Sequence, residues 1–347
     1  MKKHRLVQKR ELINLVRRFF DDHEFFELET PLLVNSPGME VHLHSFATQY
    51  THHDGSITSY HLPTSPEFAL KKALGAGFEK VYEIARVFRN QGELGPQHHP
   101  EFNMLEWYRP GNYEDIMDDV TELLQHLSSN FSGTVEQADY TWQTVRRTSI
   151  ADCFRVHADL DLKKGLRDYN YWKMAATKAL EESIPADDHF EDIFFRIWLK
   201  KIEPNLGIKQ PEIVYDYPAS MAALSKLKAS EQVWSERFEL YIRGVEIGNA
   251  FSELTDSQEQ LQRFNAANQE RKALGFSEHP VDQDFIESVG RMQATGGIAV
   301  GIERLLMALT GARDIREFFL YPVGGVKRTK NSMDDRDPKL PKTTNPS

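Results

Sequence analysis

The 347 residues, 40% hydrophobic and 27% charged, have the make-up of a globular protein of one or two domains. A formal net charge of −10 gives no general attraction to nucleic acid, and the single cysteine, Cys153, excludes an internal disulfide and a thiolate zinc site. No apolar run approaches the ~20 residues that span a bilayer, and the basic start MKKHR lacks the apolar core of a signal peptide, so a cytoplasmic protein is expected.

From about Leu6 to His23 the sequence predicts an amphipathic helix, with Leu12, Ile13, Val16, Phe19 and Phe20 on one side. A short strand from Phe25 to Leu33, closed by Pro31, follows. Ser65 is a suitable N-cap and Pro66 a suitable first residue for the next helix, which Gly75 and Gly77 end. Glu67 then falls in the first turn, where a carboxylate favours the helix dipole.

The stretch richest in chemistry is residues 89–108, RNQGELGPQHHPEFNMLEWY. Residues 81–88 before it read as a buried strand, and residues 102–108 as a second, so that Phe102, Met104, Glu106 and Tyr108 share one face. The loop between them carries two glycines, two prolines, His98 and His99, and Arg89 enters it. A guanidinium at that place suits a polyphosphate, because its planar donors bind phosphate oxygens in pairs.

Another helix is predicted from Gly111 to about Ser132, then residues 133–211 with helical tendency and no assignable chemistry. Ile213 to Tyr215 reads as a core strand, with a turn from Tyr217 to Ser220. In residues 239–256, ELYIRGVEIGNAFSELTD, Arg243-Gly244 is a turn between two strands and brings Glu239 and Glu246 within reach. Two carboxylates beside a polyphosphate are what Mg²⁺ prefers, since it takes oxygen ligands and keeps substrate phosphates in its shell. Past Gly248, a candidate bulge, Asn249, Phe251 and Glu253 share a face. Glu253 with Glu106 and Tyr108 would make an acidic pocket for an ammonium group. Asp256 and Glu259 form a capping-box pattern that opens a helix with Leu261 and Phe264 inward. Residues 296–306, GGIAVGIERLL, are a glycine-rich strand feeding a helix, and after Tyr321 the chain turns polar and is expected to be disordered.

These stretches resemble the three motifs of class II aminoacyl-tRNA synthetases, in the lysyl subgroup. Residues 25–33 are similar to motif 1, the family's dimer interface, with Glu24 where a glycine is usual. Residues 89–108 resemble motif 2 and residues 296–306 motif 3, in the family's order over about 300 residues, which makes the match specific. The resemblance implies an α+β fold: an antiparallel sheet flanked by helices, forming one catalytic domain over residues 1–322, with 133–211 a variable insertion and 323–347 a tail.

Lysyl-tRNA synthetases carry an oligonucleotide-binding barrel of roughly a hundred residues ahead of motif 1. Here motif 1 begins almost at once, so neither the barrel nor tRNA as a partner is expected. That combination, with the segment from Glu203 to Gly207, resembles the elongation factor P–lysine lysyltransferase family. The family's activity is to adenylate (R)-β-lysine with ATP and Mg²⁺ and pass it to a lysine of elongation factor P. By position the resemblance implies that Arg89 holds the α-phosphate and substrate carboxylate, His98 the phosphates, Phe102 the adenine, and Arg304 the nucleotide. Glu239 and Glu246 would hold magnesium, and Glu67 the amine near the carboxylate. Asn249 would take the carboxylate, and Glu106, Tyr108 and Glu253 the ε-ammonium, with Phe251 lining the same face.

A homodimer with no membrane partner is expected. Departures are one extra residue in the motif 2 loop, Gln91 where glutamate is usual, and Ala250 for a glycine. Ala299 stands where lysyl-tRNA synthetases have glycine, which points to β-lysine over α-lysine. Alternatives are a lysyl-adenylate-forming ligase using α-lysine with another amine, carrier or tRNA. An asparagine-synthetase-like ligase should present cations, and a non-catalytic regulator should have lost Arg89, Glu246 or Arg304.

Overall fold

The computed structural model describes residues 2–92, 94–134 and 139–323. In chain order come helix α1 (Lys2–Asp22), strands β1 (Phe26–Glu27), β2 (Ala47–Thr51) and β3 (Ile57–His61), helix α2 (Glu67–Gly75), strands β4 (Val81–Phe88) and β5 (Glu101–Pro110), and helix α3 (Tyr113–Asn130). Then follow β6 (Arg146–Ser149), the helices α4 (Ile150–Ala158), α5 (Leu162–Gly165), α6 (Tyr169–Leu180) and α7 (Phe190–Ile197), and strands β7 (Glu212–Pro218), β8 (Trp234–Ile242) and β9 (Val245–Ser252). Helices α8 (Ser257–Ala273) and α9 (Gln283–Val289), strand β10 (Thr295–Gly301) and helix α10 (Ile302–Thr310) complete the fold.

Eight strands form one sheet in the order β1-β4-β5-β10-β9-β8-β7-β6, antiparallel except at its two edges, where β1 pairs with β4 and β6 with β7 in parallel. Alternation gives the sheet two unlike faces. Leu105, Trp107, Phe238, Leu240, Ile298 and Val300 point to one, where they meet Leu12, Val16 and Phe20 of α1, Ile116, Val120 and Leu123 of α3, and Leu305 and Leu306 of α10. That is the main core, and it explains the stripe read from α1. The opposite face is covered at its two ends only. Over β7 and β8, Trp198, Phe194 and Trp172 pack with Tyr217 and Tyr241. Over β4 and β5, Leu70, Leu74, Phe264 and Phe285 pack on Val81 and Tyr108. The middle of that face is left open between the two covers.

Several local readings shift. Only Phe26–Glu27 of the predicted first strand is paired, and residues 28–33 run on without a ladder partner. Helix α2 takes Pro66 as its cap position, with Ser65 Oγ accepting from Glu67 N at 3.4 Å. Asp256 caps α8 through Gln258 N and Glu259 N, but Glu259 turns to Arg263 rather than back to the cap. The edge strand β6 gave no signal in the sequence because two of its four residues are exposed arginines. The segment from Glu203 to Gly207 packs over the β8–β9 turn: Leu206 O and Gly207 O accept from Gly244 N and Arg243 N at 2.8 and 2.9 Å. A side chain at Gly207, whose φ is +63°, would strike Tyr241 O. The expected disordered tail lies, beyond residue 323, outside the described residues. No helix among the described residues is long and apolar enough to cross a membrane.

Candidate active site

The open part of the sheet face floors a cavity of about 960 Å³. Register decides what lines it. Glu106, Ala299, Asn249 and Glu239 stand opposite one another across β5, β10, β9 and β8, in one row perpendicular to the strands. One pleat further, Tyr108, Gly297, Phe251 and Arg237 make a second row. Residues that lie far apart in sequence thus become neighbours, because a ladder two residues out of phase keeps side chains on the same face. Gly297 is required there: a Cβ would come within 2.3 Å of the Tyr108 ring and 2.5 Å of Glu253 Oε1.

One end of the cavity is acidic. Tyr108 donates to Glu106 Oε1 at 2.5 Å, while Glu106 Oε2 is buried with no partner among the described residues. Burial, and next the charge of Glu67, pushes the Glu106 carboxyl well above its ordinary range. Glu253 is pushed up to about 7, chiefly by burial, with the Lys71 ammonium opposing. Lys71 was not anticipated. Fully buried, it donates to Glu67 Oε1 at 2.5 Å and forms an ion pair with Glu253 Oε2 at 2.6 Å. Burial pulls its ammonium down, but Glu253 and Glu67 more than offset this and hold it above its ordinary value. An ammonium of the protein thus ties two of the acids that the sequence assigned to the substrate. The signal was available, since Lys71 is four residues after Glu67 in a predicted helix.

The other end is basic. Arg89 lies 5.3 Å from the Phe102 ring centroid, and its buried Nε has no partner among the described residues. Burial lowers its affinity for a proton, and Glu40 and Glu246 oppose that. Arg304 donates to Glu246 O at 2.9 Å, and its Nη2 lies 2.9 Å from His98 Nε2. The Glu246 carboxyl is raised to about 7, by burial and then by the charge of Glu239. Gln91 lines the cavity near the mouth in a left-handed conformation, φ 57°.

Of the residues singled out by sequence, Glu239 alone is not part of the cavity wall. Its oxygens accept from Tyr217 at 2.6 Å, from Arg237 at 2.5 Å, and from Tyr241. Arg237 also donates to Asn249 Oδ1 at 3.1 Å, which sets that amide's orientation. This arginine was missed, although it shares a strand face with Glu239 two residues on. The bulge falls at Ile247, between the Tyr241–Glu246 and Leu240–Gly248 pairs, one residue before the glycine that was expected to host it.

Such a face can hold an anion beside Arg89 and Arg304 and an ammonium beside Glu106. Known proteins with this sequence pattern agree. The family model described as tRNA synthetases class II (D, K and N) matches residues 1–324. A Hamiltonella defensa protein named elongation factor P–(R)-β-lysine ligase is 34% identical over 323 residues, 92% of this chain and 94% of its own length. Proteins of that name from Yersinia enterocolitica and Proteus mirabilis are 34% and 33% identical over 92% of this chain. With motifs 2 and 3 side by side on one sheet face, motif 1 at the sheet's edge, and near full-length likeness to these ligases, the chain belongs to the class II tRNA synthetase family, among the elongation factor P–(R)-β-lysine ligases.

Proposed function

We propose that this enzyme activates a lysine, (R)-β-lysine by preference, as its adenylate with ATP and transfers it to a lysine side chain of elongation factor P. The observation that carries this reading is the polarity of the cavity: a buried carboxylate oxygen on Glu106 at one end and a buried Nε on Arg89 at the other, neither with a partner among the described residues. Each group lacks a counterpart that a lysine-type zwitterion and a phosphate would supply. Burying such groups unpaired costs free energy, so the bound substrate is the state that satisfies them.

In the first step the substrate carboxylate, held by Arg89 and Asn249, attacks the α-phosphorus of ATP and pyrophosphate leaves. Arg89 and Arg304 balance the charge that builds on the phosphate oxygens, and the gain is electrostatic preorganisation and alignment. Phe102 offers its ring to the adenine, His98 faces the phosphates beside Arg304, and Gln91 lines the adenine side. Glu106, Tyr108 and Glu253 receive the ε-ammonium. Glu246, raised to about 7 by burial and Glu239, suits Mg²⁺, whose charge would relieve that repulsion. Mg²⁺ supplies charge neutralisation on the phosphates when bound; Glu246 would hold it directly, and Glu239, tied by two phenols and Arg237, would act from behind. In the second step an acceptor amine attacks the acyl carbon of the adenylate and AMP leaves.

Phe26, Leu32 and Leu33 are exposed, and the Phe26 ring lies 5.3 Å from that of Phe78. This apolar edge supports a homodimer formed through the motif 1 segment. The reading further includes a cytoplasmic enzyme that does not use tRNA, with residues 133–211 as an insertion on the catalytic domain. ATP–pyrophosphate exchange with α- and β-lysine, followed by the intact mass of elongation factor P, tests the proposal. Exchange with neither lysine, or no mass gain of one lysyl unit, would overturn it.

A further inference from the structure

Glu40 has no role in the reading above, yet it lines the cavity. The chain builds it in with care. Gly38, at φ +132°, turns the backbone where any Cβ would come within 2.8 Å of Glu40 Oε2 and 2.9 Å of Thr64 Oγ1. Thr64 in turn donates to Pro37 O at 2.8 Å. On the other side, the Arg271 guanidinium donates to Val41 O at 2.9 Å and to the Glu40 and Leu43 carbonyls at 3.4 Å. A loop pinned at both ends thus presents one carboxylate to the substrate space.

Backbone ties fix its place, and its surroundings are charged. Burial, then the charge of Glu67, raises the Glu40 carboxyl, while Arg89 and Lys71 oppose. The loop that carries Glu40 is tied at Pro37 to Thr64, three residues before Glu67, and at His44 O to Asn90 N, next to Arg89, at 2.7 Å, so Glu40 lies in the stretch between Glu67 and Arg89. Lys71 is committed to Glu67 and Glu253 at 2.5 and 2.6 Å and forms no pair with Glu40. Glu67 already has an ammonium from the protein; among the described residues Glu40 has none.

We infer that Glu40 is a specificity-determining residue, the carboxylate that binds the amine next to the substrate's carboxylate, with Glu67 in support. This rests on the cavity being the lysine-activating site. The amine that a lysine isomer carries near its carboxylate must lie between Arg89 and Glu67, and Glu40 is the acid in that interval without a cation.

The test compares substrates that differ only in that amine. Glu40→Gln should lower kcat/KM for β-lysine in pyrophosphate exchange by roughly 10–100-fold, the loss expected for one charge-assisted hydrogen bond. 6-Aminohexanoate, which keeps the carboxylate and the ε-amine but lacks the other, should inhibit wild type and variant with constants within about twofold of each other. Glu40→Asp, which keeps a carboxylate, should restore part of the β-lysine activity. Equal losses for both compounds would mark a structural role and overturn the inference, as would no loss for either. If the wild type uses α-lysine instead, the proposed isomer fails, and the same comparison with α-lysine against 6-aminohexanoate still decides Glu40.

Discussion

Replacing Lys71 by methionine removes a buried charge at nearly constant volume and isolates the effect of the internal ammonium. Glu67 and Glu253 lose their 2.5 and 2.6 Å partner, and Glu106 Oε2 is already unpaired. Breaking a buried pair from one side typically costs about 3–5 kcal/mol. The carboxylates can escape part of this by taking up protons. Glu253 already sits at about 7 with Lys71 lowering it, so without Lys71 it rises further above its unfolded value of about 4.3. A carboxyl raised in the folded state destabilises where it must ionise, that is, at high pH, and the penalty fades as pH falls through its folded pKa. The loss relative to wild type should therefore be near the full 3–5 kcal/mol at pH 8.5 and less than about half of it at pH 5.5. Urea denaturation of both proteins at pH 5.5, 7 and 8.5 measures this. A penalty that does not change with pH would refute the reasoning and reduce Lys71 to packing.

Arg89→Ala should lower pyrophosphate exchange by at least about 10³-fold, as expected for a donor to transition-state charge, with unchanged circular dichroism; near-normal exchange would sink the role given to Arg89. Ala299→Gly should raise the efficiency with α-lysine relative to β-lysine several-fold, up to roughly 200-fold, because one methyl between Glu106 and Asn249 leaves the wall. An unchanged ratio would clear Ala299 of that choice. Glu24 stands at φ 61°, a conformation that costs a residue with a Cβ roughly 1–2 kcal/mol, so Glu24→Gly should stabilise by about 1 kcal/mol in thermal unfolding, and a lower Tm would count against it.

The sheet and its face were legible because alternation is a local signal: Phe102, Met104, Glu106 and Tyr108 could be placed on one side from sequence alone, and all four line the cavity. The turn at Arg243-Gly244 was legible for the same reason, and both residues have positive φ, 54° and 71°. The glycine that the motif 1 resemblance implies at position 24 similarly points to a backbone requirement, which Glu24 meets at φ 61°. What could not be read was pairing between distant elements. Nothing near Lys71 in sequence announces Glu253, and nothing near Glu239 announces that Tyr217 and Tyr241 occupy its oxygens. Strand order and crossovers decide such contacts, and they depend on the whole chain. Glu40 escaped for another reason: its loop has no periodic pattern, and its position is set by Gly38 and Arg271, 231 residues from Glu40.

The site's charge is sorted along the sheet, and the sorting explains why so many ionisable groups can share one cavity. Glu106 and Tyr108 lie near the end of β5 that joins α3, while Arg89 and Phe102 flank the loop at its other end. Burial first, and then neighbouring acids, raises the cost of ionising Glu106 and Glu253 at the acidic end and Glu246 beside Glu239 at the basic end. Lys71 bridges Glu67 and Glu253, and Arg237 ties Glu239 to Asn249, so each limits that cost at a fixed place. Among the described residues, Glu106 Oε2 has no partner and Glu40 forms no ion pair, whereas Glu67 and Glu253 share Lys71. Two separated vacancies for positive charge select a diamine over a monoamine, and the arginine beyond them selects a diamine that also bears a carboxylate. A smaller amino acid could satisfy one vacancy and the arginine but would leave the other acid buried and unpaired, a loss of roughly 10⁴-fold for a site built to bind a polar group.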